Sequence, residues 1–354
     1  MRLRHLGWLA LATIPLLAFA GCPPSSQSRV VVYCAQDEEF AKGLFEEFKQ
    51  KSGLEVAPKY DTEAKKSVTH YTEIVSEKAR PRCDVFWNNE ILATIRLQRQ
   101  GMLEPYDSPA AAPFSKDDKA PDNTWFAFAT RARVLIVNTK LVKEEDRPRS
   151  LLDLAKPDWK GKVVMAQPEY GTTATQAACL FEVLGPERAK KYYLDLKENQ
   201  LHLAPGNKDV AVWVGQGHTP RGDVAAVGVC DTDDAMEEVH DNPAVAVIFP
   251  DRETNDGHMG TLYIPNTVAI LKNCPNPAGA RKMVDFLLSP EVEQKLAEGP
   301  SHQIPLNPNV KATLPPQYFR PTDKGAHPAK IDFAKAADLW DETQKFLEKE
   351  FAAP

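Results

Sequence analysis

The strongest constraint on the fold is a recurring pair: a short apolar run, then a capped helical segment. Arg29 to Cys34 carries Val30, Val31 and Val32 in succession, the pattern of a strand buried on both faces. Asp37 stands where a helix cap is needed, with Phe40, Leu44, Phe45 and Phe48 on one face and Gly53 as the stop. Leu54 to Asp61 predicts a second strand, Thr62 to Arg80 a charged helix, Cys83 to Trp87 a third strand, and Glu90 to Gln100 a helix stopped by Gly101. Later strands are expected at 132–138, 162–167, 224–229, 245–249 and 262–271, the last broken near Pro265. Thr173 and Gln176 read as a capping box, and Asn276 and Ser289 each precede a proline at a helix start. The alternation predicts an α/β protein with mostly parallel sheets flanked by helices. Residues 300–330 are proline-rich and read as surface wrapping. Asp332 to Phe351 reads as one amphipathic helix whose apolar face, Phe333, Ala337, Trp340, Leu347 and Phe351, is a packing surface.

The first residues stand outside this pattern. Arg2, Arg4 and His5 precede an apolar run from Leu6 to Ala20, shorter than the roughly 20 residues a membrane-spanning helix requires. Ala20-Gly21-Cys22 followed by a polar stretch resembles a bacterial lipobox, with Phe19 where leucine is usual. Residues 1–21 are therefore expected to be a signal peptide, Cys22 the lipidated residue and 22–28 a tether. That places the chain in the periplasm or at the cell surface, held to the membrane by lipid. The balance of 43 Lys+Arg against 49 Asp+Glu argues against nucleic acid as a partner.

In open α/β sheets ligands bind beyond the carboxyl ends of strands. There the chain places Asp37, Glu63, Asn88-Asn89-Glu90, Tyr170-Gly171-Thr172-Thr173, Gly206-Asn207 and Asp231-Thr232-Asp233-Asp234. Thr172, Thr173 and Asn207 at helix starts predict an anion site, with Arg131 or Arg133 for charge. Since these arginines alternate on a strand, at most one is expected to face the cleft. Glu38, Glu63, Glu90, Asp231, Asp233 and Asp234 form an acidic group suited to a hard cation or an ammonium. Each of these residues also has a plain reading as a cap or solvated loop.

The chain carries no His-Glu-x-x-His, Cys-x-x-Cys or Gly-x-Ser-x-Gly and no phosphate-binding Gly-Lys-Ser/Thr loop, so no catalytic residue is assigned. The histidines are scattered and read as surface residues. Beyond Cys22 the odd set Cys34, Cys83, Cys179, Cys230 and Cys274 reads mainly as buried thiols, with Cys34 and Cys230 placed to face the cleft.

From Arg29 to Val310 the chain resembles the extracellular solute-binding proteins of bacterial ABC importers, in the branch related to ferric-ion-binding proteins. The resemblance rests on Val31-Val32-Tyr33, Asp61-Thr62-Glu63-Ala64, Asp84 to Glu90, Arg131 to Val134, Gly171 to Thr175, Gly206-Asn207-Lys208, Asp231 to Asp234 and Ile304 to Pro308. It implies the two-lobed type II periplasmic-binding-protein fold, with 29–130 plus 262–354 as lobe 1 and 131–261 as lobe 2. It also implies a monomer that is not an enzyme and that delivers a small solute or metal ion to a permease in the cytoplasmic membrane. Iron(III) with a bound anion is the leading cargo, with no resident cofactor. Of the expected ligand set Asp37, Glu63, Glu90, Arg131, Thr172, Thr173, Asn207, Asp231 and Asp233, the resemblance matches Glu90 to the family's glutamate and Thr172, Thr173, Asn207 and Arg131 to its anion site, while the position of the others after strand ends places them there, with Glu90 and Asp231 expected on the metal. Where ferric-binding members carry paired tyrosines, this chain reads Val229-Cys230-Asp231-Thr232-Asp233-Asp234, and Tyr192-Tyr193 falls in a predicted helix as packing. A phosphonate or phosphorylated amine fits the same two sub-sites. From another class, a membrane-anchored metal-dependent hydrolase would use the same acidic group.

Overall fold

The computed structural model describes residues 28–60, 68–252 and 259–352. Cys22 and Glu63 lie outside the described residues. The first part runs β1 (Arg29–Cys34), α1 (Glu38–Ser52), β2 (Glu55–Tyr60), α2 (Val68–Ser76), β3 (Val85–Asn88), α3 (Leu92–Arg99), β4 (Leu103–Glu104) and the long β5 (Trp125–Asn138). The middle runs β6 (Val163–Ala166), α4 (Gly171–Leu184), α5 (Pro186–Glu198), β7 (His202–Ala204), α6 (Asn207–Gln216), β8 (Val227–Asp231), α7 (Thr232–Asp241) and β9 (Val245–Ile248). The return is β10 (Tyr263–Leu271), α8 (Pro277–Leu287), α9 (Pro290–Glu298), α10 (Phe333–Asp338) and α11 (Trp340–Phe351).

The strands follow the order β2-β1-β3-β10-β5-β8-β6-β7, with β4 beside β10 and β9 beside β5. β1 is parallel to β2 and β3, and β6 is parallel to β7 and β8, as their helical crossovers require. β5 belongs to both halves. Its residues from Trp125 to Ala132 pair antiparallel with β10, and those from Arg133 to Asn138 pair with β8 and β9. All of its residues are buried, which suits a strand passing between two cores. The expected break at Pro265 is a bulge: Pro265 pairs Thr130 and Asn266 pairs Phe128, leaving Ala129 as the extra residue at φ 41°. Asn266 Nδ2 donates to the Ala129 carbonyl, and the Ala129 N–H donates to Glu293.

One core joins the β1–β3–β10 sheet to α1, α3, α8 and α9 around Phe45, Phe86, Trp87 and Leu287. The other sheet is packed on both faces, by α4 and α5 around Phe181 and Tyr193, and by α6 and α7 around Val210 and Cys230. Each such fully buried side chain contributes about 1.5–3 kcal/mol relative to exposure.

Several sequence expectations shift. The helix read across Thr62–Arg80 is described over Val68–Ser76, and that read across Glu90–Gln100 begins at Leu92. Thr173 is no cap: α4 starts two residues earlier, after Tyr170. Asp37 flanks α1, whose first turn bonds to its carbonyl rather than its carboxylate. The final amphipathic segment breaks at Leu339 into α10 and α11. His70, expected at the surface, is buried beneath Tyr33 and Phe86. The C-terminal helices serve both cores: Ala337 and Trp340 pack in the first, and Leu347 and Phe351 in the second.

Candidate functional site

Strand period sets the site. Residues two apart share a strand face, so Arg131 and Arg133 of β5 point the same way; as expected only one of them, Arg131, lines the cavity, not because the other turns away but because Arg133 lies behind Asp231. Both reach toward Asp231, the last residue of β8, which pairs in register with Arg133. Arg133 Nη1 donates to Asp231 Oδ1 at 2.9 Å, to Asn207 Oδ1 at 3.1 Å and to Thr172 Oγ1 at 3.3 Å. Its Nη2 reaches Thr173 Oγ1 at 3.4 Å and its Nε reaches Gln176 Oε1 at 2.9 Å. Gln176 shares the inward face of α4 with Thr172 and Thr173, a helical spacing that sequence reasoning spent on a capping box.

The other Asp231 oxygen is equally occupied. Thr172 Oγ1 donates to Oδ2 at 2.5 Å and Asn207 Nδ2 donates to it at 3.2 Å. Burial pushes this carboxyl up, but Arg133, Arg131 and the Thr172 hydroxyl outweigh burial and hold it below the usual carboxylate range. Asp233 behaves oppositely. Burial raises it to about 6, the Arg131 charge offsets only part of that, and Asp231 and Asp37 add repulsion. Arg131 Nη1 lies 3.4 Å from Asp233 Oδ2, and its Nη2 donates to the Asn89 carbonyl.

Asp231, Asp233 and Asp234 bring carboxylate oxygens within 4.8 Å of one another. With Asp37, Asn89, Arg131, Tyr170, Thr172, Thr173 and Asn207 they wall a cavity of about 40 Å³. Glu90, expected on the metal, stands apart from this group. Its oxygens accept from the backbone N–H of Leu92 (2.6 Å) and Ala93 (2.9 Å), from Asn88 Nδ2 (2.9 Å) and from Thr175 Oγ1 (2.9 Å). A carboxylate so engaged caps α3 and ties it to α4, its oxygens already taken by these four donors. Cys34 and Cys230 are buried and do not line the cavity; the Cys34 thiol donates to the Gln36 carbonyl at 3.6 Å. Tyr192 and Tyr193 pack against each other, and Tyr193 against Phe346 and Phe351, as expected for core residues.

A mouth at strand ends, walled from two halves joined through the shared strand β5, suits capture of a small solute. Residues 93–323 match the family described as bacterial extracellular solute-binding protein. The chain belongs to that family. This solute-binding protein is 26% identical over 223 residues to the Fe(3+)-binding periplasmic protein of Serratia marcescens, a match covering 63% of this chain and 64% of the relative, just under two thirds of its length. Its fold is that of iron-bound HitA from Pseudomonas aeruginosa (TM-score 0.77, 21% identity, covering 90% and 99% of the two chains). It is equally that of AfuA from Actinobacillus pleuropneumoniae with fructose-6-phosphate bound (TM-score 0.77, 23% identity, covering 92% and 99%). These are two-lobed periplasmic binding proteins, so the α/β architecture expected from sequence is the observed one. The hydrolase reading is overturned by membership of this family: the chain is a solute-binding transport protein and not an enzyme.

Proposed function

We propose that the protein captures a small hard cation, iron(III) foremost, between its lobes and hands it to an ABC permease. The observation that carries this is the charge of the cavity. Arg133 is matched to Asp231, which leaves Asp37, Asp233 and Asp234 facing the single guanidinium of Arg131 among the lining residues. All the ligand atoms on offer are oxygens, the preference of a hard ion. A cavity of about 40 Å³ has room for a few water molecules or one coordinated ion, whereas an organic phosphate would need the lobes parted. The iron named in the Serratia marcescens relative supports the same cargo. The lobes assigned to it are 29–130 with 262–354, and 131–261, with α11 packed across onto the second. The test is equilibrium binding of iron(III) supplied from a weak chelate. Wild type is expected to take up one ion per chain, and Asp233→Asn with Asp234→Asn to bind on the order of a hundredfold more weakly. Equal affinity of the two, or tight binding of an aminophosphonate in place of metal, would overturn the reading. Delivery is proposed to start from a lipid anchor at Cys22, so Cys22→Ser should move the protein from the membrane fraction to the soluble one. Unchanged membrane association would remove the anchor.

A further inference from the structure

We infer that Asp231 is a built-in anion: it fills the protein's own oxyanion seat, so that cargo is taken up without a co-bound phosphate or carbonate. The inference rests on the cation reading for its last clause only. Thr172, Thr173, Asn207 and an arginine are the groups that the sequence sets aside for an anion, at the start of α4 and α6. In the structure every one of them bonds to Asp231 or to the Arg133 that holds it. Hydroxyl, amide and guanidinium from α4, α6 and β5 converge on its two oxygens, at 2.5 to 3.2 Å.

The charge, the geometry and the burial agree. Asp231 is 2% exposed and Arg133 equally closed off, so an external anion meets neither without displacing the carboxylate. Displacement would strand a buried negative charge beside Asp233 and Asp234, which is costly without a partner. The chain has thus replaced a diffusible oxyanion by one tethered to β8, where its effective concentration is fixed by the fold. The cation side remains open. Asp231 stays within 4.8 Å of Asp233 and Asp234, and the guanidinium of Arg131, 4% exposed, keeps its Nε without a hydrogen-bond partner at the wall of the same cavity.

Two measurements separate the inference from the cation reading. The first needs no metal. Inorganic phosphate is titrated into wild type and Asp231→Ala, followed by calorimetry and by thermal unfolding. Wild type should show no binding and no shift. Asp231→Ala leaves Arg133, Thr172 and Asn207 around an empty seat, so phosphate should bind it and raise its melting temperature. Asp231→Ser, which also vacates most of the seat and removes the charge while keeping a polar side chain, stands in if the alanine variant does not fold, and should likewise be stabilised by phosphate. Phosphate binding to wild type as tight as to the variants would overturn the inference whatever the cargo. In the second, iron(III) uptake is measured in phosphate- and carbonate-free buffer and again with phosphate added. Wild-type affinity should change less than about threefold, and that of the Asp231 variants should rise at least about tenfold with phosphate. Wild type that loads only when the anion is present overturns the inference and leaves the cation reading standing. Wild type that loads no cation in either buffer overturns the cation reading, while the metal-free arm still decides the role of Asp231.

Discussion

Asp231 and Asp233 sit two residues apart, and their surroundings drive their protonation in opposite directions. Asp231 is held below the ordinary carboxylate value of 3.8 by its arginines, so the stability it contributes is present above that value and is lost only as pH falls through the lower folded one. Asp233 is raised to about 6, so the stability of its protonated form is complete below 3.8 and is lost as pH rises through about 6. Between those limits the empty site holds one proton on Asp233 and none on Asp231. A cation competes with that proton. Its affinity should therefore fall by about tenfold per pH unit below about 6, with close to one proton released per ion bound there and fewer above. Calorimetry in buffers of differing ionisation enthalpy measures that count. Asp233→Asn should lose the release, and an identical release from that variant would place the proton elsewhere. The sequence showed Asp231 and Asp233 as acidic loop residues and Thr172, Thr173 and Asn207 as anion ligands. It could not show that the first set occupies the second, because that depends on β5 and β8 pairing Arg133 opposite Asp231, a contact 98 residues apart in the chain.

At the scale of elements, what was legible is what depends on local pattern. β1, β3, β8 and β10 are apolar runs packed between layers, and each was found within a few residues, whereas β5 was read only over its second half, 132–138, and its stretch from Trp125 was missed. What was missed depends on partners distant in sequence. Glu90 looked like a ligand because it follows a strand end, yet an N–H pair at the start of α3 claims it. The apolar face of 333–351 was legible as packing, but its division at Leu339 between two cores was not, since periodicity is blind to which body a face meets. That division gives the C-terminal run a structural role. Arg99 pairs with Asp338 at 2.5 Å on one side, and Lys190 pairs with Glu342 at 2.8 Å on the other. These pairs are largely exposed and contribute little singly, so the clasp rests on Trp340, Leu347 and Phe351.

For the whole molecule the question is what closes it. Wall residues come from both halves, Asp37 and Asn89 from one, Thr172, Asn207 and the Asp231–Asp234 group from the other. Two contacts favour the closed form. Thr175 donates to Glu90 at 2.9 Å in full burial, and Lys208 stands 3.9 Å from Glu39 at the exposed lip. The first is buried and contributes about 1–3 kcal/mol, whereas the lip pair adds at most about 1 kcal/mol. Against them, closure brings Asp37 toward Asp233, like charges in a poorly hydrated space. The bulge at Ala129 and the shared strand β5 are where such a motion can be absorbed. A cation between the carboxylates turns the repulsion into attraction, and that differential contact is what can shift the population. Solution scattering should therefore show the empty wild type more extended than the iron-loaded form. Asp37→Asn with Asp234→Asn removes the repulsion, so it should be compact when empty and unchanged by metal. Thr175→Val keeps the shape and loses the tie to Glu90, so it should stay extended until more metal is added. A radius of gyration that is the same for empty and loaded wild type would mean that the carboxylates do not hold the lobes apart, and the cation would then be a passenger in a cleft that closes by itself.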